Sequence, residues 1–313
     1  MITIAGGGLA GLASAYELAR RGVSVRVFDP GDSPGSNSVA RFAGGMLAPW
    51  CEGESAEDEV VALGALAADW WAQVTPVFRR GTLVVAPPRD TPDLTRFARR
   101  TSAHRPVTGA EISELEPVLS DRFQHGLFFE GEAHLDPRRA LRDLAQSLQD
   151  MGVELLYNTP TPALIDLDCT GMAADLPDLR PVRGEMAILY CPEIEINRTL
   201  RLLHPRMPLY LVPRGDGHYM IGGTMIESSS SRPPSLRSLT ELLSAAFTLH
   251  PAFAEASVVE IGAGLRPAFP DNLPRIITHN GRLHLNGFYR HGFLLAPAMA
   301  ARVADQILPG DKR

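Results

Sequence analysis

Apolar residues fall into short runs separated by glycine, proline and charge, and the first runs set the pattern. Ile2–Ala5 is small or β-branched and is followed at once by Gly6, Gly8 and Gly11. A stretch rich in alanine and leucine, with helical spacing, then reaches Gly22. A second β-branched run over 23–28 ends on Asp29. This predicts strand, tight turn, helix, strand and acid in succession.

That succession is what a dinucleotide-binding βαβ unit requires. Gly6 permits the turn, Gly8 lets the backbone approach a pyrophosphate, and Gly11 lets helix and strand pack closely. Leu9 and Ala10 open the helix whose first amides and positive dipole would meet that phosphate. Asp29 is placed to accept from ribose hydroxyls. The motif reads an ADP moiety and leaves NAD and FAD open.

Residues 30–37 form a polar loop rich in glycine and proline. In the following 39–49 stretch, Gly44 and Gly45 lie among small apolar residues. They read equally as backbone passing a flat, bulky group or as a flexible turn. Helical spacing covers 57–74, with Trp70 and Trp71 expected in a core or an interface. A strand at 83–86, helices at 92–101 and 112–119 and a strand at 127–129 follow. Asp136 is an N-cap and Pro137 the first position of an amphipathic helix over 138–151 that Gly152 ends. A strand at 153–157 comes next.

A strand at 164–167 runs into Asp168-Cys169-Thr170-Gly171, a place where doubly wound sheets bind ligands. Runs at 182–190, 208–212 and 218–223 read as antiparallel strands, with a hairpin at Gly215-Asp216-Gly217. A helix over 235–249 and a strand over 257–261 follow. The last strand, 283–285, breaks into a glycine turn before a helix over 293–308. This second strand, turn and helix N-terminus would offset the charge of a reduced isoalloxazine. A nicotinamide domain has no need of it, so the reading is FAD rather than NAD. The predicted class is α/β, a discontinuous Rossmann-like FAD-binding domain (1–80, 135–178 and 263–313) with a mainly antiparallel α+β substrate domain (81–134 and 179–262).

Composition changes this picture little. The 313 residues are 45% hydrophobic and 21% charged, and the net charge of −6 gives no reason to expect nucleic acid or an anionic membrane as partner. Cys51, Cys169 and Cys191 show no metal or CxxC spacing and read as free thiols in a reducing compartment. The first apolar run lacks a basic leading region, and no stretch has the roughly 18–20 apolar residues of a membrane span. A cytoplasmic protein is expected; assembly into a homo-oligomer is left open.

With these motifs in hand, the chain resembles the FAD-dependent amine oxidases related to D-amino-acid oxidase and sarcosine oxidase. Within that group it is most similar to the glycine oxidases of thiamine biosynthesis. The resemblance spans nearly the whole chain. It rests on Gly6 to Gly11 with Asp29, on residues 43–49, 210–214, 221–225 and 264–267, and most specifically on 287–297.

The resemblance implies a small amino-acid substrate, non-covalent FAD, and O2 or another electron acceptor. An arginine would bind the substrate carboxylate, hydride would pass from Cα to the flavin, and peroxide would follow. On matching positions Arg266 is the carboxylate-binding arginine, Arg290 is a second arginine over the flavin, Tyr210 faces the carboxylate and Met225 lines the pocket. The implied FAD contacts are Gly6, Gly8, Leu9, Ala10, Gly11, Asp29, Val39, Ala40, Gly44, Gly45, Met46, Thr161 and Gly171. Phe288, Tyr289, Arg290, His291, Gly292, Phe293 and Leu294 complete them. His291 tempts as a general base. Hydride transfer, however, needs only an amine that has lost its proton, not a base on Cα, so His291 reads as packing or a hydrogen bond and a catalytic role stays open.

Two departures from the resemblance stand out. Arg41-Phe42 occupy positions where relatives carry small residues, and the 157–168 link is short where relatives place a longer β excursion. Alternatives to glycine are a D-amino acid or sarcosine, by oxidase or dehydrogenase chemistry, and a flavin-binding subunit without catalysis.

Overall fold

Two sheets carry most of the chain in the computed structural model, whose described residues are 1–204 and 209–308. The first has six strands in the order Arg275–His279, Arg282–Asn286, Leu167–Asp168, Ile2–Ala5, Val25–Phe28 and Glu154–Leu156. All neighbours are parallel except the hairpin at its edge. The helix Leu9–Arg20 crosses between the first two strands of the chain and buries Leu12, Ala15 and Leu18. It packs against the C-terminal helix Gly292–Ile307 and the helix Pro137–Asp150. Asp136 caps the latter through a 2.7 Å bond from Arg139 N, as its sequence predicts.

Trp70 and Trp71 lie in this core. Trp71 Nε1 donates to Phe293 O at 2.8 Å and Trp70 Nε1 to Glu17 Oε1 at 2.6 Å. The helix expected over 57–74 is two shorter ones, Asp58–Gly64 and Ala67–Trp71. Gly64 ends the first where the chain meets the C-terminal helix; a Cβ there would lie 2.6 Å from Leu294 Cγ.

The second sheet has nine strands among the described residues. It is antiparallel except that Thr199–Leu202 runs parallel to Thr82–Val85. The helix Leu236–Leu249 covers one face with Leu242, Ala245, Ala246 and Leu249. Ser257–Ala268 pairs with Arg180–Tyr190 along its length and extends well past the predicted 257–261. Gly262 and Gly264 do not turn the chain; they leave room for Phe42 and Val39, which lie against them.

The strand expected over 164–167 shrinks to Leu167–Asp168. Ahead of it Leu164 is 89% exposed, and Asp166 Oδ2 accepts 2.7 Å bonds from Thr3 N and Oγ1. Strands Arg105–Thr108, Thr199–Leu202 and Arg275–His279 were not expected. Pro208, in the predicted 208–212 strand, lies outside the described residues; the strand seen is Leu209–Gly215. No helix of the described residues is long and apolar enough to cross a membrane.

Candidate active site

Between the two sheets lies a cavity of about 680 Å³. Gly6, Gly8, Leu9, Ala10 and Asp29 line one end. Gly6 has φ +99°, and a Cβ there would come within 2.6 Å of Cys169 O. Gly11 lies behind the turn rather than on the cavity, where a Cβ would collide with Gly6 O. Asp29 Oδ1 accepts from Gly31 N at 2.6 Å and Oδ2 from Gly7 N, so the turn fixes its carboxylate. Thr161 is exposed at this end, and Gly171 O accepts from Asn286 Nδ2 at 2.8 Å.

The middle of the cavity is walled by two backbone turns. Val39 and Ala40 belong to a 3-10 turn that Ser38 caps through a 3.2 Å bond from Ala40 N. Gly44, Gly45 and Met46 follow; Gly45 has φ +71° and packs against Leu135 O. Arg214 holds this bend, with Nη2 donating to Ala43 O at 3.1 Å and Gly44 O at 2.9 Å. Opposite, Phe288 to Leu294 carry the chain into the C-terminal helix. Tyr289 takes φ +50° and donates its N–H to Pro267 O at 2.8 Å.

Two helices therefore start on this cavity, Leu9–Arg20 and Gly292–Ile307, and neither has a side-chain N-cap bond. Their first-turn amides and positive dipole ends are free to meet a ligand. One end suits a pyrophosphate and the other an anionic ring system, which is the donor set FAD needs.

The charged end was only partly anticipated. Arg266 Nη1 donates to Thr224 O at 2.8 Å and forms no ion pair among the described residues. Burial lowers its pKa to about 10. Arg290, in contrast, is committed: Nη2 lies 2.8 Å from Glu52 Oε2 and donates to Ser55 Oγ at 2.7 Å. Tyr210 donates its hydroxyl to Glu52 Oε1 at 3.1 Å, under the Arg201 guanidinium 4.8 Å from its ring. His291 Nε2 is 2.9 Å from Glu52 Oε2. Met225, expected as pocket lining, is half-exposed at the rim, where its sulfur accepts from the Tyr289 hydroxyl at 3.1 Å.

Glu52 joins Arg290, Tyr210 and His291, yet the sequence reading passed over it. It is 8% exposed; burial opposes its charge, but Arg290 and His291 outweigh this and hold its carboxyl well below the usual range. The one local signal is an acid directly after Pro49-Trp50-Cys51, a setting poor in solvent.

Fold and cavity define a flavin-dependent oxidoreductase. Residues 1–306 match the profile of the FAD dependent oxidoreductase family, DAO, and the chain belongs to that family. It is 52% identical over 315 residues to a Rhizobium etli protein named as a thiamine biosynthesis oxidoreductase, ThiO, covering 98% of this chain and 96% of that one. To the glycine oxidase of Pseudomonas putida it is 26% identical, over 97% of this chain and 93% of the other. The crystal structure of glycine oxidase from Geobacillus kaustophilus shares the fold, with a TM-score of 0.81 at 24% identity over 97% and 93% of the two chains.

Proposed function

We propose that this FAD-dependent enzyme oxidises glycine or a similarly small primary or secondary amino acid, and that it supplies thiamine biosynthesis as the named function of its Rhizobium etli relative suggests. The observation that carries the reading is Arg266. A planar guanidinium opens on the cavity with only a backbone carbonyl as hydrogen-bond partner among the described residues, which suits a bidentate substrate carboxylate. Tyr210 and Arg290 would close the carboxylate end, Met225 the rim. Bound FAD supplies the two-electron acceptor for hydride leaving Cα. The chain's residues orient the amine, exclude water and balance charge.

FAD would lie with its ADP on Gly6 to Ala10, Asp29, Thr161 and Gly171. Its ring would lie between Val39, Ala40, Gly44 to Met46 and the Phe288 to Leu294 turn. We further assign residues 1–80, 135–178 and 263–313 to the cofactor-binding body and the remainder to the substrate body, and a cytoplasmic setting. Anaerobic mixing with glycine, sarcosine and D-alanine, followed by peroxide assay in air, tests the reading. Flavin bleaching by glycine with peroxide release is expected. Bleaching by D-alanine or sarcosine alone would move the substrate, bleaching without peroxide would make it a dehydrogenase, and no bleaching by any of the three would sink the reading.

A further inference from the structure

We propose that Glu52 is a specificity-determining residue: paired with Arg290, it leaves Arg266 as the one arginine of the carboxylate end open to an anion. A substrate with one carboxylate is then accepted, and one with a second negative charge is refused. The proposal rests on the small-amino-acid reading and adds the rule by which that site selects.

Three arginines converge on this end of the cavity, and two are answered. Arg201 is 3% exposed and lies 3.3 Å from Glu54 Oε2, and its Nη1 donates to Cys51 O at 3.2 Å. Arg290 has a partner at every nitrogen. Its Nη2 meets Glu52 Oε2 at 2.8 Å and Ser55 Oγ at 2.7 Å. Its Nε donates to His291 Nε2 at 3.2 Å, and Nη1 reaches the Met225 sulfur at 3.5 Å. Arg266, alone of the three, has no ion pair among the described residues; its Nη1 donates to Thr224 O.

Glu52 is held where it stands. It is 8% exposed, and Tyr210 donates its hydroxyl to Oε1 at 3.1 Å. Glu132 Oε1 fixes the amide of the preceding Cys51 at 2.7 Å. Glu52, Arg290 and Arg266 all line the cavity. A second substrate carboxylate beyond Arg266 would therefore meet an ion pair rather than a free cation. The one bond of Arg290 that it could readily displace is the bond to Met225, because a thioether is a weak acceptor. It would then share a single guanidinium with a carboxylate already bound there. Like charges set side by side away from bulk water repel strongly. An added methyl group, as in sarcosine or D-alanine, carries no charge and meets no such opposition. Beyond the first carboxylate the site reads charge.

The test uses the FAD-loaded protein and two ligands of nearly equal shape, malonate and malonamate, which differ by one charge. Acetate is the single-carboxylate reference. Binding is read as competition with glycine in anaerobic flavin bleaching, and without turnover from the flavin absorption spectrum. The work is done at about pH 8, where both malonate carboxyls are ionised. Wild type should bind acetate and malonamate, and malonate about 100-fold less tightly than malonamate, as for a buried charge left without a partner. Glu52→Gln keeps the shape and an acceptor but removes the charge. It should narrow the gap between malonate and malonamate to about 10-fold or less.

A merely structural role would weaken both ligands alike and leave their ratio unchanged, which overturns the proposal. So does a wild type that binds malonate as tightly as malonamate, or that acetate does not bind. Binding of acetate but not malonamate would make size the criterion and overturns it too. A second variant decides even if Glu52→Gln fails to hold FAD. Arg266→Gln should lose acetate binding about 100-fold, because nothing else at this end is open; acetate held within a few-fold would show that Arg290 or Arg201 is open to an anion. Wild-type protein that none of glycine, sarcosine and D-alanine bleaches overturns the small-amino-acid reading and this proposal with it. Bleaching by glycine with an unchanged malonate-to-malonamate ratio in Glu52→Gln overturns this proposal alone.

Discussion

Gly184 gives Arg266 its place: a Cβ on Gly184 would lie 2.6 Å from Arg266 Nη1 and closer still to Nη2. The two belong to neighbouring strands, Arg180–Tyr190 and Ser257–Ala268. Gly184→Ala should therefore push the guanidinium off its seat without opening the sheet. The expected result is a rise in KM for the amino acid of about 10- to 100-fold, one to two contacts' worth of binding. FAD content and melting temperature should hardly move. Steady-state kinetics beside a melting curve checks it; an unchanged KM would remove Arg266 from carboxylate binding.

What is legible in the sequence divides along a physical line. Gly6, Gly8, Gly11 and Asp29 belong to one local unit, and their spacing alone implies turn, helix and acid. Asn280-Gly281 is just as local, a hairpin turn between Arg275–His279 and Arg282–Asn286, with φ +50° and +74°. Its signal is present in the sequence, although the first strand of that hairpin was not expected. Glu52 is a different case. Its partners Tyr210 and His291 lie 158 and 239 residues away in sequence. Nothing local to residue 52 announces them, and only the fold brings them together. The same holds for Thr82–Val85, whose parallel partner Thr199–Leu202 follows more than a hundred residues later.

Arg214 stiffens the wall at Gly44 and Gly45. It donates to Ala43 O, Gly44 O and, at 3.3 Å, Leu135 O, with Asp136 at 3.7 Å as counter-ion. Burial lowers its pKa to about 10. Arg214→Leu would leave these carbonyls without a donor and Asp136 without its cation. A loss of about 3 kcal/mol is expected, with FAD released at lower denaturant than in the wild type. Urea titration followed by flavin fluorescence would show it; release and unfolding unchanged from wild type would argue that the bend stands without Arg214.

Arg41-Phe42 stand where the resembling family carries small residues, beside Val39 and Ala40. The structure gives them an anchoring part. Phe42 fits against Gly262, where a Cβ would lie 2.5 Å from Phe42 Cδ1, and Arg41 stacks on its ring at 5.3 Å. Arg138 ties Arg41 O at 3.1 Å and pairs with Glu260. Phe42→Ala should loosen the 3-10 turn and cost about 2 kcal/mol, less than a fully buried phenylalanine because Phe42 is only partly buried. Equilibrium dialysis should show FAD held several-fold less tightly. Equal FAD affinity in the variant would mean that Val39 and Ala40 keep their place without it.

Glu132 is fully buried, with Oε1 accepting from Cys51 N at 2.7 Å and no hydrogen bond to Oε2 among the described residues. Burial raises its pKa from the ordinary 4.5 to about 7. The folded protein therefore holds a proton here that the unfolded chain releases between those two values. Stability from this residue is full below pH 4.5 and is lost as pH climbs through 7. His134 leans the other way, since burial lowers its pKa to about 4 and the neutral ring favours folding above the ordinary 6.5. Raw pH curves will mix the two, so the comparison must be made between variants. Glu132→Gln mimics the protonated acid, keeps an acceptor for Cys51 N and cannot ionise. Its stability relative to wild type should be near zero at pH 5 and should rise by roughly 2–3 kcal/mol by pH 8, at about 1.36 kcal/mol for each pH unit between the unfolded and folded pKa. Paired thermal melts across that range decide it, and a difference that stays flat with pH would show that Glu132 is ionised throughout.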